Sequence, residues 1–174
     1  KIIEPPRCRL FKNKISKNNS VICFANSPEI SAEGNRLTFL HNWIVVEEFI
    51  VAVLNLAKNH SDIKFVLRFK NLNILKCNYF NELCKIINRS NNVVISDDYS
   101  RPGISYYLLS DALGGIGHHT SIGDEALFVG IPFIFYDGSK ISKRLYFHNF
   151  PEYSELFSFD LAQLEIKFFQ YILQ

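Results

Sequence analysis

Short apolar runs rich in β-branched and aromatic residues alternate with longer segments of helical periodicity along most of this chain. "VICFA" at 21–25, "IKFVLRF" at 63–69, "NVVIS" at 92–96, "LGGIG" at 113–117 and "PFIFY" at 132–136 read as five strands. Helical segments are predicted between and after them, at 37–59, 78–88, 104–112, 122–129 and 159–173. In the second, Phe80, Leu83, Cys84 and Ile87 recur at the spacing of one buried face. In the last, Asp160 reads as an N-cap, with Leu161, Leu164, Phe168 and Ile172 on one face. Such alternation builds βαβ units, so the expected fold is α/β, a Rossmann-like parallel sheet with helices on both faces. Ligands of such sheets sit outside the carboxyl ends of the strands. The loops there are expected at 26–36, 68–76, 97–103, 117–123 and 137–144.

The chain's 174 residues amount to one domain, divided here into a basic, irregular linker or N-terminal extension at 1–20 and a folded domain at 21–174. A formal net charge of +2, with the basic residues scattered, gives no nucleic-acid footprint. Cys8, Cys23, Cys77 and Cys84 form no metal-binding spacing and read as reduced, mostly buried thiols, which points to the cytoplasm. Cys77 and Cys84 are expected on one helix face. The most apolar stretch, 43–57, is too short and, with Glu47 and Glu48, too charged to span a membrane. Its apolar residues lie on most sides, which suits a helix sandwiched in the core. The absence of any methionine suggests a piece of a longer protein.

The chemistry concentrates in "HTSIGDEALFVGIPFIFYDG", residues 119–138. The stretch is not a dinucleotide fingerprint, since Gly115-x-Gly117 is followed by Thr120, and no Gly-Lys-Ser/Thr P-loop occurs. Ser121 is not on a nucleophile elbow, because His119 stands where that turn needs glycine. His118 and His119, neighbours at a strand end, point to opposite sides, and no metal site is expected. What remains is a strand-to-helix turn. Thr120 and Ser121 can cap the helix, and Asp124 and Glu125 lie in the turn where its dipole favours negative charge. Capping alone accounts for these residues. The functional alternative is that the N–H groups of the helix start and the two hydroxyls hold a phosphate, the glycines letting the backbone approach it. Glu125 would then accept hydrogen bonds from ribose hydroxyls.

"HTSIGDEALFVGIPFIFYD", with "YYLLSDALGGIGHHTS" leading into it, resembles the nucleotide-sugar-binding motif in the C-terminal half of GT-B glycosyltransferases. Related patterns occur in non-hydrolysing sugar-nucleotide 2-epimerases and in glycerol-phosphate polymerases. "FVLRFK" is similar to the second strand of that domain with its terminal basic residue. The order and spacing match over 21–174, and the sharp part is 111–137. The resemblance implies one half of a GT-B fold, the donor-binding domain of an enzyme that transfers a sugar from a nucleoside-diphosphate sugar in surface polysaccharide biosynthesis. It assigns Thr120, Ser121 and Gly123 to the diphosphate, Glu125 to the ribose and His119 to phosphate or sugar. Arg68, Lys70 or Arg36 would supply positive charge, and the loop "DDYSRPG" would border the base. No cofactor is implied beyond the sugar-nucleotide substrate. The implied partner is an N-terminal acceptor domain that this chain does not contain, and the full protein would associate peripherally with a membrane.

The paired glutamates of retaining members are absent, Gly117 standing at the first position, as is their Gly-Lys loop. An epimerase or glycerol-phosphate polymerase domain of the same architecture is the enzymatic alternative, with Asp124 as the second acid an epimerase would want. A non-catalytic interaction domain is the other.

Overall fold

A computed structural model describes residues 6–11, 18–25, 43–70, 72–98, 102–118, 120–140 and 155–174. Arg36, His119, residues 37–42 of the first predicted helix and the loop at 26–36 lie outside the described residues. The described strands are β1 (Ser20–Ala25), β2 (Lys64–Phe69), β3 (Val93–Ile95), β4 (Gly114–Gly117), β5 (Phe133–Tyr136) and β6 (Phe157–Ser158). The described helices are α1 (Trp43–Asn59), α2 (Asn81–Arg89), α3 (Ile104–Asp111), α4 (Ser121–Phe128) and α5 (Leu161–Tyr171). Single-turn 3-10 segments stand at Pro6–Leu10, Leu72–Lys76 and Asn78–Phe80.

All six strands run parallel in the order β3-β2-β1-β4-β5-β6. The pleat sends Val21, Cys23 and Ala25 of β1, with Phe65, Leu67 and Phe69 of β2, to one face. There they meet Phe49, Ile50, Val53 and Leu56 of α1, Leu83 and Ile87 of α2, and Leu164 and Phe168 of α5. The opposite face carries Ile22 and Phe24 of β1 with Phe133 and Phe135 of β5. It is covered by Leu109 of α3 and by Ile122 and Ala126 of α4. α1 lies on that face flanked by α2 and α5 with eight of its residues buried, but Ile44, Glu48, Val51, Asn55 and Lys58 form an exposed stripe, so it covers the sheet and is not sandwiched in the core as expected. Among the described residues no helix is long and apolar enough to cross a membrane.

Three further expectations need correcting. The segment predicted as a helix over 78–88 is split: Asn78–Phe80 form a 3-10 turn, and α2 starts at Asn81. Cys77 therefore precedes the turn while Cys84 lies inside α2, so the two share no helix face. Leu161 is 42% exposed, unlike Leu164, Phe168 and Ile172, because it stands on the first turn of α5, at the mouth of a surface groove beside Val51 and Ala52 of α1. The sixth strand had no sequence signal: two residues show no periodicity, and Phe157–Ser158 become a strand only by pairing with Phe135 and Tyr136.

On the second face the packing depends on missing side chains. A Cβ on Gly115 would stand 2.6 Å from the Phe133 ring and 2.9 Å from Leu109. One on Gly123 would stand 2.6 Å from Phe133 and 2.7 Å from Phe135. The space these glycines leave is filled from within the protein by the rings of β5, which lets α4 lie close against the sheet.

Candidate functional site at the start of the fourth helix

The chain leaves β1 for α1 on one face of the sheet and leaves β4 for α4 on the other. β1 and β4 are neighbours whose following helices lie on opposite faces, which makes their carboxyl ends the topological switch point of an open parallel sheet. α4 starts at that switch point, with three residues between it and β4. Thr120, half-buried with extended backbone (φ −146°, ψ 131°), is the N-cap, and its side chain makes no capping hydrogen bond. The Gly123 N–H is used internally, donating to the Thr120 carbonyl at 3.0 Å. Ser121 is exposed at the first helical position. No described residue accepts from the N–H groups of Ser121 and Ile122, which fits donors left open to solvent or to a ligand.

Beneath this turn lies a polar knot that the sequence did not suggest. His118 and Asp137, both buried, end β4 and β5, with His118 Nε2 3.5 Å from Asp137 Oδ1. Asp137 also accepts from the Ser139 hydroxyl, and its N–H donates to the Ser158 carbonyl at 2.9 Å. Asp137 thereby ties the ends of β5 and β6, with His118 at the end of β4 beside it. No sequence pattern announces the knot, since its members come from 118, 137 to 139 and 158.

Glu125 is held from outside its own helix. Its Oε2 accepts from the Tyr106 hydroxyl of α3 at 2.5 Å, and its backbone carbonyl lies 3.8 Å from the buried Cys8 Sγ. Burial, followed by the hydrogen bond and charge of Glu125, pushes the Tyr106 phenol up to about 12. At neutral pH that phenol keeps its proton and donates. Asp124, at the surface beside it, has its carboxyl raised, first by partial desolvation and then by the Glu125 charge. The dipole stabilisation expected from the sequence is thus opposed by two local effects at this position.

The basic candidates differ. Arg68, near the end of β2, is 6% exposed; its Nε donates to Ser105 Oγ at 3.0 Å and its Nη1 to Ser96 Oγ at 3.0 Å and the Asp98 carbonyl at 2.6 Å. It links β2 to the exit of β3 and the first turn of α3. Lys70 is exposed just past β2. Thr120, Ser121, Gly123 and Glu125 are thus brought together on one helix start, while Arg68 is engaged at the second strand. Sequence reasoning missed Tyr106, which lies nineteen residues before its partner with no local signal.

No protein-family model matches the chain, and no curated protein sequence matches it significantly. Among solved structures it matches UDP-GlcNAc 2-epimerase from Neisseria meningitidis bound to UDP-GlcNAc, with a TM-score of 0.51 at 18% identity. The match covers 93% of this chain and 37% of that one, so the chain spans little more than a third of that enzyme's length. The likeness is one of fold: an α/β, Rossmann-like parallel sheet of GT-B-like architecture.

Proposed function

We propose that this chain is the donor-binding domain of a GT-B glycosyltransferase, taking a nucleoside-diphosphate sugar and transferring its sugar in surface polysaccharide biosynthesis. The observation that carries the reading is the uncapped start of α4 at the switch point between β1 and β4. Backbone donors with a positive dipole end suit a diphosphate, and Thr120 and Ser121 add hydroxyls. Glu125, one turn in, suits the vicinal hydroxyls of a ribose. In sugar transfer such a site acts on the leaving group: fixed donors meet the negative charge that builds on the diphosphate as the glycosidic bond breaks. Lys70, exposed past β2, would supply positive charge to the diphosphate, while Arg68 is held by Ser105 and the Asp98 carbonyl.

The likeness to a sugar-nucleotide 2-epimerase favours a second reading, in which the bound sugar is inverted rather than transferred. Both readings require nucleotide binding. The test is thermal unfolding of the chain with UDP, CDP, GDP or ADP, repeated on Glu125→Ala. A diphosphate at a hundred times its dissociation constant stabilises the folded state by about 2.7 kcal/mol. A rise of the midpoint with one diphosphate, lost in the variant, supports the reading. No rise with any of the four overturns it. Conversion of a sugar nucleotide to its C2 epimer without an acceptor, by the longer protein, would select the epimerase.

A further inference from the structure

Glu125 accepts the Tyr106 hydroxyl at 2.5 Å across the gap between α3 and α4. The Tyr106 ring is fixed edge-on against Phe11, with centroids 5.1 Å apart and planes at 74°. The Arg7 guanidinium, from the 3-10 turn at Pro6–Leu10, lies close enough to act on the same hydroxyl through its charge. That turn packs on α4, with Cys8 buried against the Glu125 carbonyl. The phenol donates to Glu125, with the Arg7 charge nearby. One carboxylate oxygen is committed to it, and no described residue bonds the other.

We infer that Tyr106 is a positioning residue for ribose recognition: its hydroxyl, on a ring fixed against Phe11, holds the Glu125 carboxylate in the rotamer in which the remaining oxygen accepts from the sugar hydroxyls. This rests on the nucleotide-binding reading above and goes beyond it, because it assigns the recognition to three elements distant in sequence. A glutamate free to rotate loses that freedom when a ligand binds, whereas one fixed beforehand does not. The donor must also stay protonated where the acceptor is charged, as a phenol does and a second carboxyl would not.

The test is titration calorimetry on the whole chain, using whichever of UDP, CDP, GDP and ADP it binds best and the 2′,3′-dideoxy form of that diphosphate. Tyr106→Phe keeps the ring and its contact with Phe11 and removes only the hydroxyl. It is expected to weaken the ribose nucleotide by about fivefold to tenfold while changing the dideoxy form by less than about twofold. In the Glu125→Ala background the same substitution should add nothing, since the two act as one unit. Arg7→Gln, which removes the exposed charge near the phenol, should give a smaller loss with the same selectivity for the ribose form, and it keeps the test open if Tyr106→Phe folds poorly. Equal weakening of both nucleotides, or of neither, with the wild-type preference for ribose intact, overturns the positioning role alone. Failure of the wild type to bind any of the four diphosphates overturns the nucleotide site and this inference together.

Discussion

Helices α4 and α5 start in the same way and end up differently. Each follows a parallel strand, and each has a polar N-cap with extended backbone, Thr120 in one and Asp160 in the other. In α5 the cap is closed: Asp160 Oδ1 accepts from the Gln163 N–H at 2.8 Å, and the Gln163 side chain reaches back to the Phe159 N–H at 3.1 Å. In α4 the Thr120 side chain makes no such bond, and the residue three positions on is Gly123, which has nothing to reach back with. The difference lies in what each third position must do. Gln163 faces solvent and is free to cap, whereas position 123 lies under the rings of Phe133 and Phe135, where no side chain fits. One helix start is finished by its own side chains. The other is held in place by packing and keeps its donors open.

The hardest blow to that contrast should come from the packing side. Phe133→Ala empties the space beside Gly115, Gly117 and Gly123, and should destabilise the chain by about 3–5 kcal/mol in denaturant titration. If instead it costs under about 1 kcal/mol, α4 is not held by the aromatic wedge. Next in size is the closed cap: Asp160→Ala should cost about 1 kcal/mol, with α5 fraying first in hydrogen exchange.

A smaller effect is confined to alkaline pH. The Tyr106 phenol is raised above its usual value of 10 to about 12, so its contribution is complete below pH 10 and is lost as pH climbs toward 12. Because the group is only partly buried, screening keeps that contribution below about 1 kcal/mol. Stability measured against pH should therefore fall less steeply between pH 10 and 12 in Tyr106→Phe than in the wild type, and identical slopes would remove the bond to Glu125 from the account.

Smallest of all is the open cap. Thr120→Ala should change stability by less than about 0.5 kcal/mol, well under the loss for Asp160→Ala, because no capping bond is broken. An equal loss at the two positions would erase the distinction between the helix starts.

How much of this was legible beforehand follows from the range of the interactions. Five of the six strands and the general run of the helices come from patterns within a few residues: alternation, the 3/4 spacing of apolar positions, and the turn at Gly130 and Pro132. The strand-to-helix turn at Thr120 and Ser121 stood out for the same reason, since cap chemistry is local. The break between Asn78–Phe80 and α2 and the short β6 were not legible, because helix continuity and a two-residue strand depend on neighbours distant in sequence.

The sequence by itself determined that this chain folds as an α/β domain with a parallel sheet, and where along it a strand gives way to a helix rich in small polar residues. Only the tertiary structure decided that β1 and β4 lie side by side, so that this helix start stands at the switch point. It also decided that Arg68 is taken up by Ser96, Ser105 and the Asp98 carbonyl, that His118 meets Asp137, and that Glu125 is gripped by Tyr106. The physical reason is that periodicity and capping are written in neighbouring residues. A buried charge or a carboxylate takes its partner from whatever the sheet order brings within hydrogen-bond reach, and strand order is set by packing of the whole chain.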